Sequence, residues 1–353
     1  MILPLLIGAL AAAVTSVAAL SVILPWLRRL QVVDIPVERS LHTLPVVRGA
    51  GLALLPGLVV GVTVAEVLLD RSGSVDVTFS STLYVVLATV VTLAFAGIGL
   101  SDDFFAHGVA SRLLMQGAVG VLAATAIISA LGASAVWILP VAVGLVATVN
   151  ITNFMDGANG LLIFHGLVTA TWLSALAANY GMAGVSGFAA AAAGTLLAVL
   201  PVNVRGRAFL GDVGSYAVGA VWGVLCAMLL IAGVPAEAAL APVVVFVADF
   251  AYTLQLRVRA GDRWYQPHKL HVYQRLISGG WPHLASSGLV AAVTMVLCLL
   301  SLPALLGAPT VVRVVSVLLG LALVVGYLRL PVVIGAPVPW HRPRSRSAVR
   351  GQV

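Results

Sequence analysis

The chain has 353 residues, 61% of them hydrophobic and only 9% charged, with a mean hydropathy of +1.10. A soluble chain carries about a quarter charged residues, so a water-facing surface is excluded. The net charge of +7 comes from basic residues scattered through short connectors, with no docking face, which argues against nucleic acid as a partner.

Eleven apolar stretches follow in chain order, near residues 2 to 26, 49 to 69, 82 to 100, 113 to 131, 133 to 149, 160 to 178, 182 to 202, 214 to 233, 235 to 256, 284 to 306 and 310 to 330. Each is long enough to cross about 30 Å of hydrocarbon as a helix. The expected fold is all-α, a polytopic integral membrane helix bundle of eleven spans, or ten if the pair divided only by Gly132 is one. The first stretch lacks a basic n-region and a cleavage site and reads as a retained helix. Residues 1–330 form one transmembrane domain; residues 331–353 form a basic tail, Arg342 to Arg350, laid against anionic headgroups. Gly57/Gly61, Gly219/Gly223 and the alanines from Ala189 to Ala193 let helices approach closely. Cys226 and Cys298 fall inside spans without metal-ligand or disulfide spacing and read as packing residues.

Cations set the topology, because Lys and Arg stay on the cytoplasmic side of short loops. Basic residues follow spans one, three, seven, nine and eleven; only Arg71 and Arg313 fall on the other side. The N-terminus is therefore expected outside and the C-terminus in the cytoplasm. The unusual polar sequences share the cytoplasmic parity.

The loop after span three opens with Asp102-Asp103, two carboxylates at an apolar helix end, where charge is costly unless a cation or metal compensates it. The loop after span five carries Asn150, Asn153, Asp156, Gly157, Asn159 and Gly160, more than one helix cap requires. The loop after span seven, Arg205 to Ser215, supplies guanidiniums for phosphate oxygens and, in Asp212, a hard oxygen ligand. The longest loop carries Arg263, His268, Lys269 and His271, the histidines three apart as on one helical face, facing phosphate. Asp249 lies within span nine, with Arg257 two turns on as the expected partner. Glu66, His165 and Glu237 read as structural. Carboxylates, cations and glycine-flexed backbone on one face suit phosphoryl transfer between two anionic partners, whose repulsion Mg²⁺ and Arg or His donors reduce. An embedded site makes one partner a lipid.

These loops resemble those of the polyprenyl-phosphate N-acetylhexosamine-1-phosphate transferases, in order from Asp34 to about Leu276. Asp34 to His42, with Pro45 and Arg48-Gly49-Ala50-Gly51, is similar to the first cytoplasmic loop of the branch that initiates O-antigen and teichoic-acid synthesis. The resemblance implies transfer of an N-acetylaminosugar-1-phosphate, GlcNAc-1-phosphate above others, from a UDP-sugar to undecaprenyl or a similar polyprenyl phosphate, releasing UMP and initiating cell-envelope polysaccharide synthesis. It implies a site at the cytoplasmic face of a bacterial inner membrane, with Mg²⁺ as cofactor and Mn²⁺ as a substitute; a homodimer is left open. Carried over residue by residue, Asp102, Asp103 and Asp212 are catalytic and metal-binding, and His268 and His271 contact diphosphate. Phe209 stacks on uracil; Asn150, Asn153, Asp156 and Asn159 form the nucleotide loop; Arg39, His42, Arg48, Arg205, Arg263 and Lys269 complete substrate binding.

Two positions depart from the pattern. Asn159 stands where the family often has a second Asp, retaining an acceptor without the charge. Phe104, Phe105, Ala106 and His107 stand where the pentapeptide-transferring branch has a Lys, which argues against that substrate. The competing reading is a nucleotide-sugar or lipid-phosphate transporter, but transport places polar groups near the midplane and on both access routes, whereas here they crowd one side.

Overall fold

The computed structural model describes residues 1–36, 41, 44–72, 79–261 and 270–336. Its helices are α1 (Ile2–Arg29), α2 (Leu54–Ser72), α3 (Phe79–Phe105), α4 (Val109–Ala130), α5 (Ile138–Met155), α6 (Leu161–Asn179), α7 (Ala183–Asn203), α8 (Gly211–Ile231), α9 (Ala236–Ala239), α10 (Val244–Arg259), α11 (Val272–Ser278), α12 (His283–Leu300), α13 (Leu302–Leu305) and α14 (Thr310–Val333). Eleven helices among the described residues are long and apolar enough to cross a membrane, the short α9, α11 and α13 standing apart. Helices prevail because hydrocarbon offers the backbone no hydrogen-bond partner, so each span must satisfy its own amides.

The division at Gly132 is real: α4 ends at Ala130, and Gly132 takes a left-handed φ of 64° before α5 begins. Two ends differ from expectation. Helix α3 runs on to Phe105 and α5 to Met155, so Asp102, Asp103, Asn150 and Asn153 ride on helix ends and not in loops. Polarity alone does not end a helix whose ladder continues. Ala106, at φ 48°, and Asp156, at φ −83° and ψ 58°, mark where the backbone leaves.

Helix α8 is the centre of the bundle, with 83% of its apolar window buried against 22% for α1 and α14. It packs on α3 and α5, and α1 packs on α2. The paired glycines sit at these crossings: a Cβ on Gly219 would lie 2.7 Å from the Val149 Cα, and one on Gly61 2.7 Å from the Gly8 carbonyl. Van der Waals contact between backbones replaces the hydrophobic drive that lipid removes. Cys226 and Cys298 are buried free thiols.

A three-stranded strip, absent from the all-helical expectation, lies beside the start of α8. Strand β1 (Val33–Asp34) pairs antiparallel with β2 (Val46–Arg48), which pairs parallel with β3 (Ala208–Phe209), register Arg48 to Phe209. It ties the chain after α1 to the chain before α8. Elsewhere, Glu237 pairs with Arg313, and buried His165 meets the Pro242 carbonyl through Nε2 at 2.8 Å and stacks on Phe246, both structural as expected.

Candidate active site

The site begins with how closely α3 approaches the start of α8. Gly99 leaves no side chain against the Asp212 carbonyl, and Gly211, at φ 74°, has no room for a Cβ beside Asp103, whose Oδ2 would lie 2.9 Å away. Asp103 therefore caps α8 from another helix: its Oδ1 accepts from the Asp212 N–H at 3.0 Å and its Oδ2 from the Val213 N–H at 2.9 Å. A carboxylate here satisfies two orphan amides and meets the positive end of the helix dipole. Arg48 bridges the pair, Nε to Asp103 at 2.8 Å and Nη2 to Asp212 at 2.7 Å. Burial opposes the Arg48 charge, yet the two carboxylates more than offset it and hold its pKa above the ordinary value. Asn153 on α5 donates to Asp212 and to the Ser215 hydroxyl, both at 2.9 Å. Four elements distant in sequence, β2, α3, α5 and α8, thus meet at one acidic pair.

Asp102 lies against Asp212 but takes its donors from the other side. It accepts from Arg112 Nη1 at 2.9 Å and from the His107 N–H at 2.8 Å, and is 7% exposed. His107 also bonds Ser101 through Nε2. Among the described residues no three His, Cys, Asp or Glu side chains converge as a metal cage. The donors Asp103 and Asp212 face each other across Arg48, a hard-oxygen pair of the kind Mg²⁺ accepts together with substrate phosphates.

A cavity of about 780 Å³ runs from this cluster along α4, α5 and α10. Arg112, Asn150, Asn153, Asp212, Arg257 and His271 line its polar end; Leu113, Gly117, Val121, Leu139, Val143 and Val146 line the rest. From Asn153 to Leu139 along α5 is about 21 Å at helical rise. Leu113, Val121, Leu139 and Val143 are 47 to 70% exposed in spanning helices, so the groove opens toward lipid. Asn150 is held by Gln116 Oε1 at 2.6 Å and the Val146 carbonyl at 2.8 Å.

Other expected residues lie farther off. Asp156 is half-buried in the loop after α5; burial pushes its pKa up to about 7, with the Asp212 and Asp103 charges adding and Arg48 opposing. Asn159 secures α12, its N–H 3.4 Å from His283 Nδ1 and its carbonyl accepting from Ser287 at 2.9 Å. Arg205 is exposed and its Nη1 donates to the Pro201 carbonyl, closing α7. Phe209, half-buried in β3, borders the cluster beside Arg48. Arg39, His42, Arg263, His268, Lys269 and the basic tail from 337 lie outside the described residues.

Two expectations need correcting. His271 does not lie within a helix: at ψ 149° it stands ahead of α11 as its N-cap, and His268 lies outside the described residues. The donors to Asp249 extend beyond its own helix. Fully buried, it accepts from His271 Nδ1 at 3.0 Å, the Val272 N–H at 3.1 Å, Tyr327 at 2.8 Å and Thr253 at 3.2 Å. Helical spacing finds neighbours on one helix, as with Thr253 four residues on; the other donors come from the start of α11 and from α14. Arg112 and Gln116, read in the sequence only as a topology marker and a span residue, prove to be partners of Asp102 and Asn150.

Fold and site together define a multi-pass membrane protein with an acidic and arginine-bridged cluster at one end of a lipid-facing groove. The family model of glycosyl transferase family 4 matches residues 84–230. The chain is 27% identical over 304 residues to the decaprenyl-phosphate N-acetylglucosaminephosphotransferase of Mycobacterium leprae, covering 72% of each chain. It is 29% identical over 306 residues to the Mycobacterium tuberculosis protein of the same name, covering 72% of this chain and 71% of that one. With the phospho-N-acetylmuramoyl-pentapeptide-transferase of Moorella thermoacetica it shares 32% over 224 residues, 55% of this chain and 67% of that one. The chain belongs to glycosyl transferase family 4.

Proposed function

We propose that this protein transfers an N-acetylaminosugar-1-phosphate, with GlcNAc-1-phosphate the leading candidate, from a UDP-sugar to polyprenyl phosphate. The observation that carries the reading is the groove: an anionic headgroup at Arg112, Asn153, Arg257 and His271 would have its isoprenoid tail in an apolar channel open to lipid. A phosphate oxygen of the lipid attacks the β-phosphorus of the UDP-sugar; the bond to the bridging oxygen breaks and UMP leaves. One pyrophosphate linkage replaces another, so the reaction is readily reversible.

Both partners are anions, and the chain answers with Arg48, Arg112 and Arg257 around the reacting phosphates. Asp103 and Asp212 would hold Mg²⁺, which when bound supplies further charge neutralisation. Asn153 fixes Asp212 for that purpose at 2.9 Å. Phe209 offers a ring for uracil at the rim of the cluster. The N-acetylglucosaminephosphotransferases match over more of the chain than the pentapeptide-transferase does, which supports the GlcNAc donor. The cation distribution supports a cytoplasmic position for the site end.

Protein purified in lipid nanodiscs is expected to release UMP from UDP-GlcNAc when undecaprenyl phosphate and Mg²⁺ are present. It should stop with EDTA and recover with Mg²⁺ or Mn²⁺. Neither UMP release nor exchange of labelled UMP with any UDP-aminosugar would reject the reading.

A further inference from the structure

We propose that Asp249 is a positioning residue of the site, acting through His271, and that Tyr327 from the last spanning helix holds Asp249 for this task. The proposal rests on the transferase reading above and adds to it two residues that do not line the groove.

A fully buried carboxylate inside a spanning helix is costly unless donors surround it. Asp249 has them: His271 Nδ1, the Val272 N–H shared between both oxygens at 3.1 Å, the Tyr327 hydroxyl at 2.8 Å and the Thr253 hydroxyl at 3.2 Å. Capping α11 would need only the Val272 contact, which a Ser or Asn supplies as well. The contact to the imidazole is the additional one, and it joins a residue buried away from the groove to one that lines it.

Chemistry then fixes the ring. A carboxylate only accepts hydrogen bonds, so the contact to Asp249 puts the hydrogen on Nδ1 and turns Nε2 away; the Gln274 N–H that caps α11 on the same side chain is a neutral contact, and the charge-assisted one prevails. The ring plane is set as well, because His271 and Tyr273 stack at 5.8 Å with an interplanar angle of 11°. At 3% exposure His271 has little freedom to turn. A proton arriving at Nε2 makes a donor for a phosphate oxygen, and the Asp249 charge balances the imidazolium so formed. Without Asp249 the ring loses both its tautomer and its counter-charge, while the residues that bind substrate stay in place.

The test uses full-length protein in nanodiscs with Asp249→Asn, Tyr327→Phe, His271→Gln and the Asp249→Asn/His271→Gln double variant. Asp249→Asn is expected to lower kcat on the order of 100-fold with both KM values little changed. The double variant should be no slower than His271→Gln, because Asp249 acts through that ring; Tyr327→Phe should show a smaller loss of the same kind. Nitrogen-15 NMR of histidine-labelled protein, with the His271 signals assigned by their loss in His271→Gln, should show the Nδ1–H tautomer in the wild type and its partial loss in Asp249→Asn. If Asp249→Asn does not fold, Tyr327→Phe and the wild-type tautomer decide in the same way. Unchanged kcat, multiplying losses in the double variant, or an Nε2–H tautomer in the wild type would overturn the proposal. Wild-type protein that releases no UMP yet shows the tautomer change would instead retire the transferase reading alone.

Discussion

Asp103 and Asp212 share one guanidinium, yet their surroundings give them different work. The Asp103 side chain is 2% exposed and caps two amides of α8, whereas that of Asp212 is 16% exposed and lines the groove. Asp103→Asn is therefore expected to cost about 2 kcal/mol of stability as well as activity, since it weakens a buried cap and leaves Arg48 half-paired. Asp212→Asn should lower turnover on the order of 100-fold and raise the Mg²⁺ needed, with little change in melting temperature. UMP release across Mg²⁺ concentrations, alongside thermal melting, separates the two; equal melting losses would contradict the division. Asp156 gives a pH prediction. A carboxyl raised from 3.8 to about 7 favours the folded state while protonated. That contribution is whole below about 4 and is lost as pH rises through about 7. Asp156→Asn should therefore gain more melting temperature over wild type at pH 8 than at pH 5, measured without divalent cations. A gain independent of pH would remove burial of this charge as the cause.

The α3 to α8 contact is the element on which the cluster depends, and it turns on a missing side chain. Gly99→Ala places a Cβ against the Asp212 carbonyl, a backbone atom that cannot swing aside. We expect about 1 to 3 kcal/mol of destabilisation and a loss of UMP release, because α3 must move and carry Asp103 off its amides. Gly97→Ala on the same helix meets nothing within 4 Å and should be neutral or slightly stabilising; equal behaviour of the two would sink the argument. The helices themselves were legible in the sequence, since length and hydropathy set every span and the cation bias set their common polar end. What pattern reading lost was the helix ends and the cross-helix partners. Asp102 and Asp103 read as loop residues because polarity resembles a stop, and Asp249 points to Arg257 because helical spacing sees only its own helix. The acidic and histidine motifs stand out in the sequence; Arg112, Gln116 and Tyr327 do not, being ordinary residues until packing gives them partners.

At the scale of the whole molecule, the groove joins the charged cluster to the lipid. Its polar end lies where α5 carries Asn153, and its apolar length reaches Leu139 near the opposite end of that helix. No residue pattern announced it, because apolar residues facing a channel and apolar residues facing lipid are the same residues. Gly117 provides the means to test it. It lines the groove, and a Cβ there meets nothing within 4 Å, so a side chain at this position starts out into the groove without meeting the backbone of a neighbouring helix. Gly117→Trp is expected to raise KM for polyprenyl phosphate by about tenfold or more while leaving KM for the UDP-sugar within about twofold, since lost burial of the tail is felt only by the substrate that has one. Gly144→Trp, also in open space but off the groove on α5, serves as the control and should change neither. Replacing the full-length carrier by a short, water-soluble isoprenyl phosphate should shrink the difference between Gly117→Trp and wild type. If instead both substrates weaken together, the tryptophan has disturbed the charged cluster, and the tail must run elsewhere on the bundle.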